Sequence, residues 1–220
     1  MTTPPDLPRP PVDATLFAGR TVDLERADVG LHAPGLWRAI GADPNLWTHI
    51  PSGPFYDEAE FTAWLAARIG REGVAIFTVM DKTAPEGPVP AGIYFLLGID
   101  PEMGTAEIGL VYGPALARRT GGTEAFYLLA GHVLGTLGYR RLEWRCTTRN
   151  AESMRAAERF GFTREGVIRQ SAWRKGVNWD TAVYGLLDHE WPDMAARFES
   201  WLSPDNFTPD GRQLRPLSAA

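Results

Sequence analysis

The segment that most constrains the fold is Ala106 to Ala125, AEIGLVYGPALARRTGGTEA. Ala106 to Tyr112 reads as a buried strand, and Gly113-Pro114 breaks it. Arg118 to Thr123 then opens a helix. Its apolar residues Phe126, Leu129, Ala130, Val133, Leu134 and Leu137 fall on one helical face. A strand that feeds a glycine-bearing loop and an amphipathic helix requires a sheet covered by helices. The loop leaves unpaired N–H groups and the positive end of the helix dipole at the helix start, which suits a pyrophosphate. Glycines at 121 and 122 let a ligand approach the backbone closely.

Helical and strand patterns interleave along the rest of the chain. Strands are predicted at Thr21–Arg26, Val74–Met80, Ala91–Ile99, Arg141–Thr147, Phe162–Gln170 and Thr181–Leu187. Helices are predicted at Leu31–Ile40, with Pro34 in the first turn, at Asp57–Arg71, and at Ala151–Phe160, capped by Asn150 and ended by Gly161. Asp57 and Glu60 form a capping-box pattern. Asp43–Tyr56 is an aromatic loop. The class is therefore mixed α/β (α+β) on a mostly antiparallel sheet. A flexible Pro-rich arm is expected over 1–14, a single domain over 15–192, and a short helix and tail over 193–220.

Composition limits the partners. The net charge of −5 argues against general nucleic-acid or anionic-membrane binding, so a local basic loop points to a small anionic ligand. Apolar stretches are too short to span a membrane. The single Cys146 excludes an intramolecular disulfide and fits a reducing compartment, and MTTPPDLPRPP lacks the apolar segment of a signal peptide. A cytoplasmic location is expected. His32, His49, His132 and His189 are dispersed without ligand spacing, so no metal is expected.

Three segments occur in fixed order: the strand-loop-helix Glu107 to Leu137, the segment Asn150-Ala-Glu-Ser153 followed by AAERFGF, and the hairpin Trp173 to Tyr184. Together they resemble the GCN5-related N-acetyltransferase (GNAT) family, and within it the ribosomal-protein alanine N-acetyltransferases of RimJ/RimL type. The resemblance covers roughly Thr15 to Pro192. The family's acetyl-CoA loop reads (Gln/Arg)-x-x-Gly-x-(Gly/Ala); Arg118, Gly121 and Thr123 stand at those positions, and Thr123 departs from the pattern. The family fold implies about seven strands flanked by helices, with a splay between the fourth and fifth. It also implies acetyl-CoA as cosubstrate and an amine acceptor.

Transfer of an acyl group from a thioester to an amine requires that the amine lose a proton, that the carbonyl oxygen be stabilised and that the thiolate leave. By resemblance, Leu110 and Val111 would direct N–H groups at the acetyl oxygen and pantetheine. Arg118, Arg119, Thr120, Gly121, Gly122 and Thr123 would cradle the pyrophosphate. Basic residues at a helix start are disfavoured by the dipole unless an anion joins them. Asn150 would bind the pantetheine arm and Ser153 would sit near the sulfur; both also read simply as a helix cap and a polar first-turn residue. Many relatives carry a Tyr proton donor where this chain has Ala157, which leaves Ser153 or a water it holds as the substitute.

Glu143 and Glu107, carboxylates in otherwise apolar strands, are the candidate bases, with Glu143 ranked first; each could instead pair with Arg141 or Arg145. Trp47, His49, Phe55 and Asp180 are acceptor-side candidates. Trp47 and Phe55 read equally as core plugs, His49 as an ordinary hydrogen-bonded histidine, and Asp180 as a pin for its hairpin. The expected activity is N-acetylation of a primary amine, either a protein N-terminus or a small molecule, by direct attack. The alternatives are a non-catalytic acyl-CoA-binding regulatory module and a plain structural domain. The edge strand near the C-terminal hairpin could pair across a homodimer, or the tail helix around Phe198 and Trp201 could cover it.

Overall fold

A computed structural model describes residues 6–208 and 211–217. The ends of the arm and tail expectations, residues 1–5 and 218–220, lie outside the described residues.

Alternating apolar stretches assemble into eight strands: β1 (Leu16–Ala18), β2 (Val22–Arg26), β3 (Ala75–Asp81), β4 (Val89–Asp100), β5 (Thr105–Tyr112), β6 (Arg141–Thr147), β7 (Thr163–Arg174) and β8 (Val177–Leu187). They form one open sheet in the order β1-β2-β3-β4-β5-β6-β8-β7. Every neighbouring pair is antiparallel except β5–β6. The count exceeds the expected seven because the three-residue β1 is too short to show alternation. The hairpin strands β7 and β8 are also longer than predicted, meeting at a tight Lys175-Gly176 turn, both residues with positive φ.

Among the described residues the α-helices are α1 (Val29–Leu36), α2 (Glu58–Ala66), α3 (Thr120–Ala130), α4 (Ala151–Arg159) and α5 (Trp191–Leu202). Asp28 caps α1 by accepting the Leu31 N–H at 2.9 Å, so the helix starts two residues before the predicted point. Pro34 therefore lies in the second turn, not the first. Asp57 caps α2 through Glu60 N–H at 2.9 Å, and the Glu60 carboxylate accepts the Tyr56 N–H at 2.6 Å. That helix ends at Ala66 rather than Arg71; turns follow it, and Gly70 takes a positive φ that closes them.

The sheet separates two cores. On one face α3, α4 and α5 bury Phe126, Leu129, Val133, Phe160 and Phe198 against Ile108, Leu142 and Trp144. Phe126 and Phe160 stack at 4.3 Å. On the other face α1, α2 and the aromatic loop bury Leu36, Ile40, Trp47, Phe61 and Leu65 against Ile76, Ile93 and Val111. The packed unit is wider than 15–192: Val12, Phe198, Trp201 and Leu217 all belong to the first core, and α5 runs for 12 residues where only a short helix was expected. With α5 committed to that core, β7 remains a largely exposed edge strand.

The parallel β5–β6 pairing determines where a site can form. It runs only from Thr105–Arg141 to Ile108–Trp144. Beyond it, Gly109–Tyr112 and Arg145–Thr147 diverge without pairing to each other. The expected splay is present, and it falls between the fifth and sixth strands as numbered here because β1 shifts the count.

Candidate active site

The N-terminal turn of α3 has no side-chain cap at Arg119 and no acidic residue. Its first N–H groups therefore lack the partners that a Ser or Asp cap would supply. Arg118 precedes it with φ +59° and lies exposed, 3.8 Å from the exposed Glu152. An uncapped helix start beside exposed guanidinium groups has the donors an anion requires.

The two loop glycines also have a packing reason. A methyl group on Gly121 would lie 2.7 Å from Val22 Cγ1; on Gly122 it would lie 2.9 Å from Tyr112 Cε2 and 3.0 Å from the Leu116 carbonyl. Close packing of α3 on β2 and β5 demands both. Beneath them, the Tyr112 hydroxyl donates to the Gly122 carbonyl at 2.6 Å. Its single proton is thereby used, so the Tyr94 hydroxyl donates to Tyr112. Burial pushes both phenols above their ordinary value, so they stay neutral. Arg159, from the last turn of α4, donates to Thr123 Oγ1 at 3.0 Å. Thr123 therefore departs from the family pattern at a point where its hydroxyl has a partner.

Backbone donors in the splay follow from alternation. Gly113, just past β5, donates its N–H to Ala91 O at 2.9 Å. Along an antiparallel ladder N–H groups alternate between the two edges. Val111 therefore points its N–H at β4, opposite Ile93, while Leu110 and Tyr112 point theirs into the gap left by β6. Of the expected pair, Leu110 has its N–H in the gap; Val111 does not, and Tyr112 takes its place.

On the β6 side, Asn150 Oδ1 accepts Ser153 N–H at 3.0 Å, which leaves the carboxamide nitrogen to donate. Ser153 Oγ accepts the Trp144 indole N–H at 3.0 Å and borders Cys146. Burial raises the Cys146 thiol, while the Ser153 hydroxyl opposes that rise. Position 157 carries only the buried methyl group of an alanine and so has no hydroxyl to offer the gap.

Glu107 and Glu143 lie on the opposite face of the sheet, side by side in the β5–β6 register. Their environments differ. Burial pushes Glu143 up, but hydrogen bonds from Arg141 Nε at 2.9 Å and Arg145 Nη2 at 2.7 Å outweigh it and hold its carboxyl below the ordinary value. Burial raises Glu107, Arg145 opposes it from 3.6 Å, and Glu143 adds to the rise, so its carboxyl sits above the ordinary value. The two carboxylates therefore differ: Glu143 is closely ion-paired and holds a proton less readily, and Glu107 holds one more readily.

The acceptor-side candidates divide. Trp47 is fully buried; its indole donates to Ile40 O at 2.8 Å and it packs edge-on to Phe55 and Trp64. It is a core plug, and Phe55 is half-buried against the same aromatic group. His49 is half-buried. Asp180 accepts the Gln170 N–H at 2.7 Å and pins the irregular stretch of β7, where Gln170 has φ +47°. Lys175, which carried no prediction, donates to the carbonyls of Trp47 and Ser52, the latter at 3.1 Å. It thereby ties the β7–β8 tip to the aromatic loop. Among the described residues no three His, Cys, Asp or Glu side chains are grouped to hold a metal, and no helix is long and apolar enough to cross a membrane.

Comparison with known proteins gives the same class as the splayed sheet. The family model described as an acetyltransferase (GNAT) domain matches residues 24–163, well over half of the chain. A GCN5-related N-acetyltransferase from Brucella melitensis is 40% identical, with a TM-score of 0.90 over 96% of each chain. A probable acetyltransferase of the same family from Chromobacterium violaceum is 37% identical, with a TM-score of 0.75 over 84% of this chain and 97% of that one. The structure titled RimL, a ribosomal L7/L12 alpha-N-protein acetyltransferase in complex with coenzyme A, is 21% identical and has a TM-score of 0.67, over 78% of this chain and 97% of that one. At that identity the likeness concerns the fold alone. The chain belongs to the GNAT family and is an N-acetyltransferase.

Proposed function

We propose that the chain transfers an acetyl group from acetyl-CoA directly to the primary amine of a protein N-terminus, the two substrates meeting at the β5–β6 gap. One observation carries the reading. The gap exposes the Leu110 and Tyr112 edge of β5 between an uncapped helix start and a carboxylate whose proton affinity is raised. The α3 turn, with Arg118 and Arg119, binds the pyrophosphate. The N–H groups of Leu110 and Tyr112 address the acetyl oxygen and the pantetheine arm. Asn150 holds that arm through its free amide donors. Glu107 takes the proton of the attacking amine, whose free pKa is about 8 for an α-amino group. Ser153 hydrogen-bonds the departing sulfur.

A peptide acceptor is favoured because Glu107 shares its sheet face with the exposed Glu165 and Ile168 of the C-terminal hairpin. RimL, which has the same fold, is a ribosomal L7/L12 alpha-N-protein acetyltransferase. Free-thiol release from acetyl-CoA, measured against unblocked peptides, polyamines and aminoacyl conjugates, tests both parts. Release confined to peptides supports the reading. Release with small amines alone removes the peptide acceptor. Saturable acetyl-CoA binding with no release on any amine favours the binding-module alternative.

A further inference from the structure

Five charged side chains form a continuous chain across the face that carries Glu107. Arg141 makes two bonds of 2.6 Å to the Glu165 carboxylate and donates through Nε to Glu143 Oε1 at 2.9 Å. Arg145 places both Nε and Nη2 on Glu143 Oε2, at 3.0 and 2.7 Å, and leaves Nε 3.6 Å from Glu107 Oε2. The last contact is the only long one. The guanidinium nearest the base is bound to a neighbouring carboxylate and only approaches Glu107. β6 supplies both charged groups that act on Glu107, Arg145 and Glu143. β4 places the apolar Leu97 opposite it, and the next residue along that face, Gly109, lies opposite Phe95.

This inference rests on the reading of Glu107 as base. We propose that Glu143, itself anchored by Arg141, is a positioning residue for Glu107: by holding the Arg145 guanidinium it prevents a close Arg145–Glu107 ion pair and leaves the Glu107 carboxylate available to take the proton of the acceptor amine. In that step an N–H bond of the ammonium breaks and an O–H bond forms on Glu107. An arginine closed onto Glu107 would stabilise the ionised form and weaken it as a base. The spacing of β5 and β6 makes the arrangement possible, because Glu107 and Glu143 are register neighbours and Arg145 lies two residues further along the same face.

The predicted signature is a pair of shifts of opposite sign. In Glu143→Gln the held arginine loses its anionic partner and closes on Glu107, so the titration of Glu107 falls by about one pH unit. In Arg145→Gln the opposing cation is gone, and the titration rises by about as much. Glu143→Asp keeps the anion and restores a profile close to that of the wild type. The direct readout is ¹³C-carboxyl NMR titration of the full chain, with Glu107→Gln identifying the resonance. Its functional counterpart is the acidic limb of kcat against pH, using the best peptide from the acceptor panel. A midpoint unmoved in both variants, or moved in the same direction in both, overturns the inference. Full activity in Glu107→Gln overturns the base reading instead, while the NMR shifts still report on the charge chain. The two failures are therefore distinguishable. A general loss of packing would not produce shifts of opposite sign.

Discussion

Glu107 and Gly122 show how little room individual residues have at this site. Glu107 is raised by burial on the same strand face where Glu143 is lowered by two guanidinium groups. Loss of a general base, the role proposed for Glu107, costs about a hundredfold or more in rate. Glu107→Gln is expected to lower kcat by that order while acetyl-CoA affinity, measured by calorimetry, stays near wild type; unchanged kcat would remove Glu107 from the chemistry. Gly122→Ala places a methyl group 2.9 Å from the Tyr112 ring and 3.0 Å from a backbone carbonyl, and the carbonyl cannot swing aside as a side chain can. Displacement of the α3 turn should weaken acetyl-CoA binding several-fold and lower Tm. The milder Tyr112→Phe deletes one hydrogen bond to the turn, a loss of about 1 kcal/mol. Tm unaltered in both variants would mean that the turn is not held from below.

At the scale of elements, the site depends on joints between segments far apart in sequence. The α3 start is tied to the end of α4 through Thr123 and Arg159. The tip of the β7–β8 hairpin is tied to the aromatic loop through Lys175, whose ammonium is shifted toward neutrality by burial. Lys175→Met removes that tie and puts at the positive φ of residue 175 an unbranched side chain that strains the turn no more than lysine does. Hydrogen exchange should then quicken around residues 47–52 and 173–178 while the α3 amides keep wild-type protection. The peptide KM should rise more than the acetyl-CoA KM. Equal rises in both would show that the tie supports the whole fold rather than the acceptor side. The α4 start is a separate joint: Asn150→Ala should cost about 1 kcal/mol as a lost cap.

The whole molecule carries its charge chain on one open sheet face, so its stability should follow pH with a definite sign. Glu143 and Glu165 have folded-state values below the ordinary carboxyl value of 4.5, held there mainly by Arg141 and, for Glu143, also Arg145. Their contribution is present above the unfolded value and is lost as pH falls through the folded one. Glu107 is raised, so its contribution has the opposite sign: it is present below the unfolded value and lost as pH rises through the folded one. The two depressed groups together should make Tm fall as pH drops below about 4.5, and Arg141→Gln should flatten that fall. An equally steep fall in the variant would move the acid sensitivity elsewhere. Stability of the second core is a different matter. Trp47→Ala removes a fully buried indole and should cost about 3–5 kcal/mol, read as a large loss in denaturant midpoint.

Periodicity made the strand-loop-helix of residues 106–137 legible in the sequence, because an apolar face and a glycine turn are local properties. The same holds for the Asp57 and Asn150 caps and for Glu143 and Arg145 sharing one face of their strand by alternation; that Glu107 of the neighbouring strand joins them is set by the β5–β6 register. Local chemistry could not say where α2 stops, that a three-residue β1 joins the sheet, or that the C-terminal helix belongs to the core. Those depend on contacts between distant segments. The ordering of Glu107 over Glu143 has the same origin. Both are glutamates in apolar strands, and only the tertiary structure brings two guanidinium groups onto one and leaves the other at the end of the chain of charges. It likewise turned Trp47 and Asp180 into supports and gave Thr123 its arginine partner. Sequence determined which residues could share a face; packing determined which of them are neutralised and which remain free to act.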